Sequence, residues 1–186
     1  MLTAAVVLFA LGWVPVFLLR SERFSERRAV ASPDERRAML NAVAAVAVHV
    51  FLAELTLTDS GAGSIPAMRL AIGMSVFLVG LAFWILARST LVSVGRMLDP
   101  TGPPPTLVTT GAFAIVRHPL ALGIVILALG PAVAAARPLT WVSFVVVVLA
   151  LGRRCLQDEE ELHATFRAEY ARYAATTTSR LLLFVW

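Results

Sequence analysis

Arg117, His118 and Pro119 stand in a row where a polar stretch gives way to an apolar one, in LVTTGAFAIVRHPLALGIVILALG from Leu107 to Gly130. Proline suits the first position of a helix, where its missing N–H would have no partner and its φ is already helical. That puts Pro119 at the first helical position and His118 near the N-cap. The first N–H groups of such a helix are unpaired, and with the helix dipole they make a site for an anion such as a carboxylate. Arg117 adds a permanent charge and a planar fork of donors. The plainer reading makes Arg117 and His118 interfacial anchors of a membrane helix. Ala121, Gly123, Ala128 and Gly130 give this helix a small-residue face. Such faces pack helices closely; they also let a flat ligand approach the backbone.

A second stretch, GRRCLQDEEELHATFRAEYARY from Gly152 to Tyr173, has the period of an amphipathic helix. Turned at helical pitch, Glu159 falls in the middle of the apolar stripe made by Cys155, Leu162, Phe166, Tyr170 and Tyr173, while Glu160 and Glu161 point away as a solvated run. A carboxylate on a buried stripe needs a partner, because uncompensated burial of charge is costly. The ordinary partner is Arg117, Arg153 or Arg154; the functional one is a ligand cation or a pair of hydroxyls. Combined, the two stretches offer Arg117, His118 and a helix N-terminus for an anion, Glu159 for a cation or diol, and aromatic faces from Phe113, Phe166 and Tyr170. That set suits a zwitterionic amino-acid nucleoside such as S-adenosylmethionine, with Arg117 and His118 as the catalytic candidates.

These residues must be positioned by a membrane protein. The 186 residues are 59% hydrophobic, and the excess lies in runs long enough to cross a bilayer. The pattern predicts an all-α polytopic membrane protein, a single membrane domain over 1–186. Its five transmembrane helices are expected at about 1–19, 38–57, 66–87, 119–136 and 138–152, the last two a tight hairpin around Arg137–Pro138. A cytoplasmic loop, 88–118, and a cytoplasmic tail, 153–186, complete it, with the amphipathic C-terminal helix covering a cofactor pocket. The first run lacks the basic flank and small-residue cleavage site of a signal peptide, so a retained span is expected. In SPDE, Ser32 is the expected N-cap, with Pro33 first in the helix and Glu35 two further on.

The net charge of +4 is carried by arginine alone; the chain has no lysine. Six arginines lie in 20–37, three in 88–118 and five in 153–180, against Arg69 and Arg137 on the other side. Such an excess orients membrane helices and does not point to nucleic acid. It predicts the N-terminus outside and the C-terminus cytoplasmic, with the bilayer as partner; arginine-only basic usage beside much alanine and valine points to a bacterium and so to its inner membrane. One cysteine, Cys155, and three separated histidines leave no disulfide and no metal motif. His49, in the middle of the second span, is an intramembrane ionisable residue and so a functional suspect, with hydrogen bonding in the core as the plainer role. Glu54, towards the outer end of that span, is too far from the cytoplasmic face for catalysis there.

LVTTGAFAIVRHPLALG, a span hairpin and then DEEELHATFRAEYARY together resemble the isoprenylcysteine carboxyl methyltransferase and phospholipid methyltransferase superfamily, over about 84–183. Gly111, Arg117, His118, Pro119 and Gly123 stand at that pattern's spacing. Leu162, Phe166, Tyr170 and Tyr173 fix the register of its second block, in which the glutamate pair falls on Asp158 and Glu159. The resemblance implies a small integral membrane enzyme using S-adenosylmethionine, whose cofactor site takes in Gly111, Phe113, His118, Pro119, Gly123, Asp158, Glu159, Phe166 and Tyr170. The acceptor would be small or lipid-like, a carboxylate, thiol or amine. Against the pattern, Ala112, Phe113 and Ala114 replace proline, tyrosine and arginine, Ala121 replaces tyrosine, Arg167 glycine and Leu183 proline. Two alternatives stay open: a non-catalytic membrane protein on a degenerate methyltransferase scaffold, and a membrane reductase, for which five spans are few.

Overall fold

The computed structural model of the chain describes residues 4–14, 33–59, 65–94 and 107–181. Among them every regular element is helical: α1 (Ala4–Val14), then α2 (Pro33–Asp59), α3 (Ala67–Val94), a 3-10 turn (Gly111–Ala114), α4 (Pro119–Ala135), α5 (Pro138–Phe166) and α6 (Ala168–Thr176). Three of these, α2, α3 and α5, are long and apolar enough to cross a membrane; α1 and α4 are shorter apolar helices. The expected Ser32 cap, most of the basic loop, residues 60–64, the prolines at 103–105 and the final 182–186 lie outside the described residues, as does the rest of the first expected span.

The long helices share one pattern. In α3, Leu70, Gly73, Phe77, Gly80, Trp84 and Ala87 are buried, three and four residues apart. In α2, Met39, Ala42, Val46, His49, Ala53 and Leu57 do the same. A helix facing water would carry polar residues on the other side. Here that side holds Phe51 and Met68, 65% and 75% exposed, which is the surface expected against lipid. By contrast α4 is buried nearly all round, with Leu122, Ile124, Val125, Leu127, Ala128, Ala132, Ala134 and Ala135 all inside.

The chain divides into two compact units, one drawn from Met1–Val79 and Val125–Arg154, the other from Gly80–Ile124 and Cys155–Trp186. In the first, α3 and α4 touch backbone to backbone: a Cβ on Gly73 would stand 2.7 Å from the Gly130 carbonyl, and one on Gly130 as close to the Gly73 carbonyl. The small-residue face is spent on helix packing there. Phe77 meets Phe9 edge to face at 4.9 Å, and its ring fills the place where Gly12 has no side chain. His49 is wholly buried. Its Nε2 lies 2.9 Å from the Ala128 carbonyl and its Nδ1 2.8 Å from Ser143 Oγ. A carbonyl only accepts, so Nε2 carries the proton, and the one proton of the Ser143 hydroxyl is shared between Nδ1 and the Thr140 carbonyl at 3.0 Å. The suspect of the second span is a satisfied core histidine. At the α4–α5 hairpin Ala136 takes φ 49°, Thr140 Oγ1 donates to the Arg137 carbonyl at 2.8 Å, and Arg69 Nε donates to Ala134 at 3.1 Å.

Two expected boundaries are corrected in the second unit. The polar loop was expected from residue 88, yet α3 runs on to Val94. Its polar side chains are satisfied by the helix itself: Ser89 Oγ donates to the Leu86 carbonyl at 2.8 Å, as does Thr90 Oγ1 at 3.0 Å, and the Arg88 guanidinium lies over the Trp84 ring. Likewise the tail helix is not separate from the fifth span. One helix of 29 residues runs from Pro138 to Phe166. A lone glycine at 152 costs a helix only about 1 kcal/mol, and the Arg, Leu, Gln and Glu beyond it are good helix formers. The break comes later, at Arg167, whose φ of 45° is one that side-chain-bearing residues rarely adopt. Arg167 N–H still donates back to His163 while its carbonyl accepts from Ala171, so one residue ends α5 and starts α6.

Candidate active site

Glu159, 6% exposed, is the centre of a buried ionic cluster in the second unit. Arg117 Nη1 donates to its Oε1 at 2.7 Å, with the two side chains 10% and 8% exposed. Arg180 Nε reaches its Oε2 at 3.0 Å. His118 Nε2 stands 3.5 Å from Oε1, too far for a good hydrogen bond. Each carboxylate oxygen thus faces its own guanidinium, the arrangement that offsets burial of a charge. The helical wheel is met at this point: Glu159 is buried and Glu160 exposed, while Glu161 is half-buried. Of the three ordinary partners named for Glu159, the structure brings Arg117 to it.

The N–H groups of the two residues just before α4 are paired. Arg117 N–H donates to the Ser179 carbonyl and His118 N–H to the Arg180 carbonyl, both at 3.0 Å. Arg117 Nη2 donates to the Thr178 carbonyl at 2.9 Å. Three successive carbonyls of the segment after α6 therefore lie along the Arg117–His118 pair.

The other sequence-predicted residues surround this cluster in differing ways. Gly111 has φ 61°, and a Cβ there would come within 2.9 Å of Thr90 Oγ1, so both conformation and space require glycine. Phe113 is half-buried, and its carbonyl accepts from Tyr173 Oη at 2.7 Å. Pro119 is fully buried. At Gly123 the missing side chain is replaced by Trp84, whose Cβ would stand 2.8 Å from an added Cβ. Asp158 and Phe166 are half-buried. Tyr170 is wholly buried, with the His163 ring edge-on at 4.5 Å and Tyr173 at 5.9 Å. Burial, and then the Glu159 carboxylate, push the Tyr170 phenol above its ordinary pKa. Burial, and then Tyr170, do the same to Tyr173. Both tyrosines stay neutral donors at physiological pH.

Three buried side-chain donors of this unit, Arg117 Nε, His118 Nε2 and Tyr170 Oη, make no hydrogen bond, and neither do two acceptor oxygens, Gln157 Oε1 and Asp158 Oδ1. Native interiors leave few such atoms, and each calls for an explanation. Arg117 and Arg180 against Glu159 leave one positive charge in excess, so the cluster suits a ligand bearing both an anionic group and acceptor oxygens or nitrogens. Arg180 was the residue whose role the sequence left open; its only visible signal was a single charge before an apolar terminus. No group of three or more metal-ligating side chains occurs among the described residues.

The phospholipid methyltransferase family model matches residues 68–167. That range starts earlier than the stretch in which the resemblance was visible by eye, and stops short of Tyr170 and Tyr173. It takes in most of α3 and all of α4 and α5, and with them Arg117, His118 and Glu159. No curated protein matches the chain. With more than half its length covered, including the helix that carries Glu159, the chain belongs to the phospholipid methyltransferase family, whose members are membrane methyltransferases.

Proposed function

We propose that the protein is an integral membrane enzyme that transfers a methyl group from S-adenosylmethionine to a small or lipid-like acceptor, a carboxylate, thiol or amine. The observation that carries this is the set of three unspent buried donors, Arg117 Nε, His118 Nε2 and Tyr170 Oη, beside a carboxylate ringed by guanidiniums. The cofactor's carboxylate and its nucleoside hydroxyls and nitrogens are the kinds of acceptor such donors lack. Bound, S-adenosylmethionine supplies an electrophilic methyl group on a sulfonium. In this reading Arg117 and His118 hold its polar groups. Glu159 keeps Arg117 aimed and adds negative charge near a cationic ligand, and Gly111, Phe113, Pro119, Gly123, Asp158, Phe166 and Tyr170 complete the pocket. Methyl transfer is an in-line displacement, so the protein's main contribution is positioning and exclusion of water. The near-complete burial of Arg117, His118 and Glu159 suits that task.

The same reading places the whole chain in one membrane domain of five spans, N-terminus outside and C-terminus cytoplasmic, in a bacterial inner membrane. The cofactor then arrives from the cytoplasm and the acceptor from the cytoplasm or the bilayer. Titrating the purified protein in detergent with S-adenosylmethionine, S-adenosylhomocysteine and NADPH tests it. Binding of the first two is expected. Binding of NADPH alone overturns the proposal in favour of a reductase, and binding of none in favour of a non-catalytic scaffold.

A further inference from the structure

We infer that Arg180 is a positioning residue of the methyl-transfer site, acting through Glu159; the inference rests on the cofactor reading above. A carboxylate held at one oxygen can turn about its last torsion angle. Glu159 is held at both, Oε1 by Arg117 at 2.7 Å and Oε2 by Arg180 at 3.0 Å. Without Arg180, Oε2 would be an oxygen of a buried carboxylate with its guanidinium gone, and the charge would turn towards whatever donor remained. Arg117 would then lose the fixed partner that aims its fork.

The position of Arg180 is itself set by the residues it serves. Its carbonyl accepts the His118 N–H and that of Ser179 the Arg117 N–H, while Thr178 accepts from Arg117 Nη2. Thr177 at one end of the segment and Leu181 at the other are buried, 6% and 0% exposed, and pin it in place. Backbone and side chain close a ring: from Arg117 to Glu159, from Glu159 to Arg180, and from the Arg180 carbonyl back to His118. Within that ring Arg180 is the solvent side, its side chain 36% exposed against about a tenth for the other members. A positioning role predicts that Arg180 matters only while Glu159 is a carboxylate.

The test is calorimetric titration of the detergent-purified full chain with S-adenosylhomocysteine, on wild type, Arg180→Gln, Arg180→Lys, Glu159→Gln and the Arg180→Gln/Glu159→Gln pair. Arg180→Gln should weaken binding about tenfold, as expected for one charge-assisted contact, and Arg180→Lys should recover part of the loss. The double variant should bind no more weakly than Glu159→Gln alone, a non-additivity that a general loss of stability would not produce. Wild-type affinity in Arg180→Gln overturns the inference, and so do losses that simply add. Should Arg180→Gln fail to fold, Arg180→Lys decides: affinity equal to wild type in a variant that has lost the planar fork overturns the role. Wild type that binds neither S-adenosylmethionine nor S-adenosylhomocysteine overturns the cofactor reading and this inference with it, whereas a wild type that binds beside unaffected variants overturns the inference alone.

Discussion

Two buried polar clusters invite comparison. The His49 cluster joins one imidazole to the Ser143 hydroxyl and the Ala128 carbonyl, and both ring nitrogens are used. The Glu159 cluster joins a carboxylate to two guanidiniums and leaves three donors of the same neighbourhood unspent. Both sit among apolar residues, and by sequence both looked like ionisable groups in an unexpected place. What separates them is completeness. A neutral cluster whose donors and acceptors match needs no ligand; it ties helices together and specifies their register. A charged cluster with donors left over has capacity for something else. Burial of a polar residue is thus a weak sign of function, and incomplete satisfaction of a buried group a stronger one.

The largest effect should come from the charged cluster. Glu159→Gln keeps the shape and removes the charge that aims Arg117. Loss of about 1.5–3 kcal/mol in cofactor binding, roughly ten- to a hundredfold, is expected. Glu160→Gln, on the exposed side of the same helix, should change it by less than about twofold. Equal effects from the two, measured by S-adenosylmethionine titration, would reduce the acidic run to a diffuse field and erase the contrast between the clusters.

The neutral cluster should respond in the opposite sense. His49→Ala removes two hydrogen bonds and leaves a hole, and its cost should fall on stability, about 1–2 kcal/mol given the modest worth of hydrogen bonds between membrane helices. Cofactor affinity of the folded fraction should be unchanged. Thermal melts and titrations on the same preparation check this, and a selective loss of affinity would move His49 into the functional machinery. The smallest effect is expected at the α5–α6 junction. Arg167→Gly relieves a positive φ at the cost of a looser unfolded chain, so the melting temperature should rise by an amount corresponding to roughly 0.5–1 kcal/mol. A fall would mean that the Arg167 side chain contributes more than its backbone conformation costs.

Much of this was legible because periodicity reports burial. The wheel that placed Glu159 inside and Glu160 outside needed only helical pitch, and the helix start at Pro33 and the hairpin at Arg137–Pro138 were marked by proline. Helix ends without such marks were not legible. Arg88, Ser89 and Thr90 read as a loop, because a composition does not show that hydroxyls will bond the helix's own carbonyls. The break at Arg167 carried no glycine or proline; its only trace was that glycine stands there in the family pattern. Arg180 kept an open role for a different reason. It lies outside any helix, so no period gives its direction, and its importance follows from chain closure onto Arg117 and His118.

That closure has a consequence for the order in which the molecule is made. Arg117 meets Glu159 across 42 positions of sequence and the Thr178 carbonyl across 61. Contacts of such long range form late, because the intervening chain must first be ordered. While α4 is being made, the N–H groups of Arg117 and His118 just before it wait for carbonyls that have not yet been synthesised. The final acceptors arrive only once residues 178–180 have left the ribosome. Closure of the Glu159 cluster onto this segment is therefore a late event, and a nascent or misassembled chain, though already rich in helix, still lacks it.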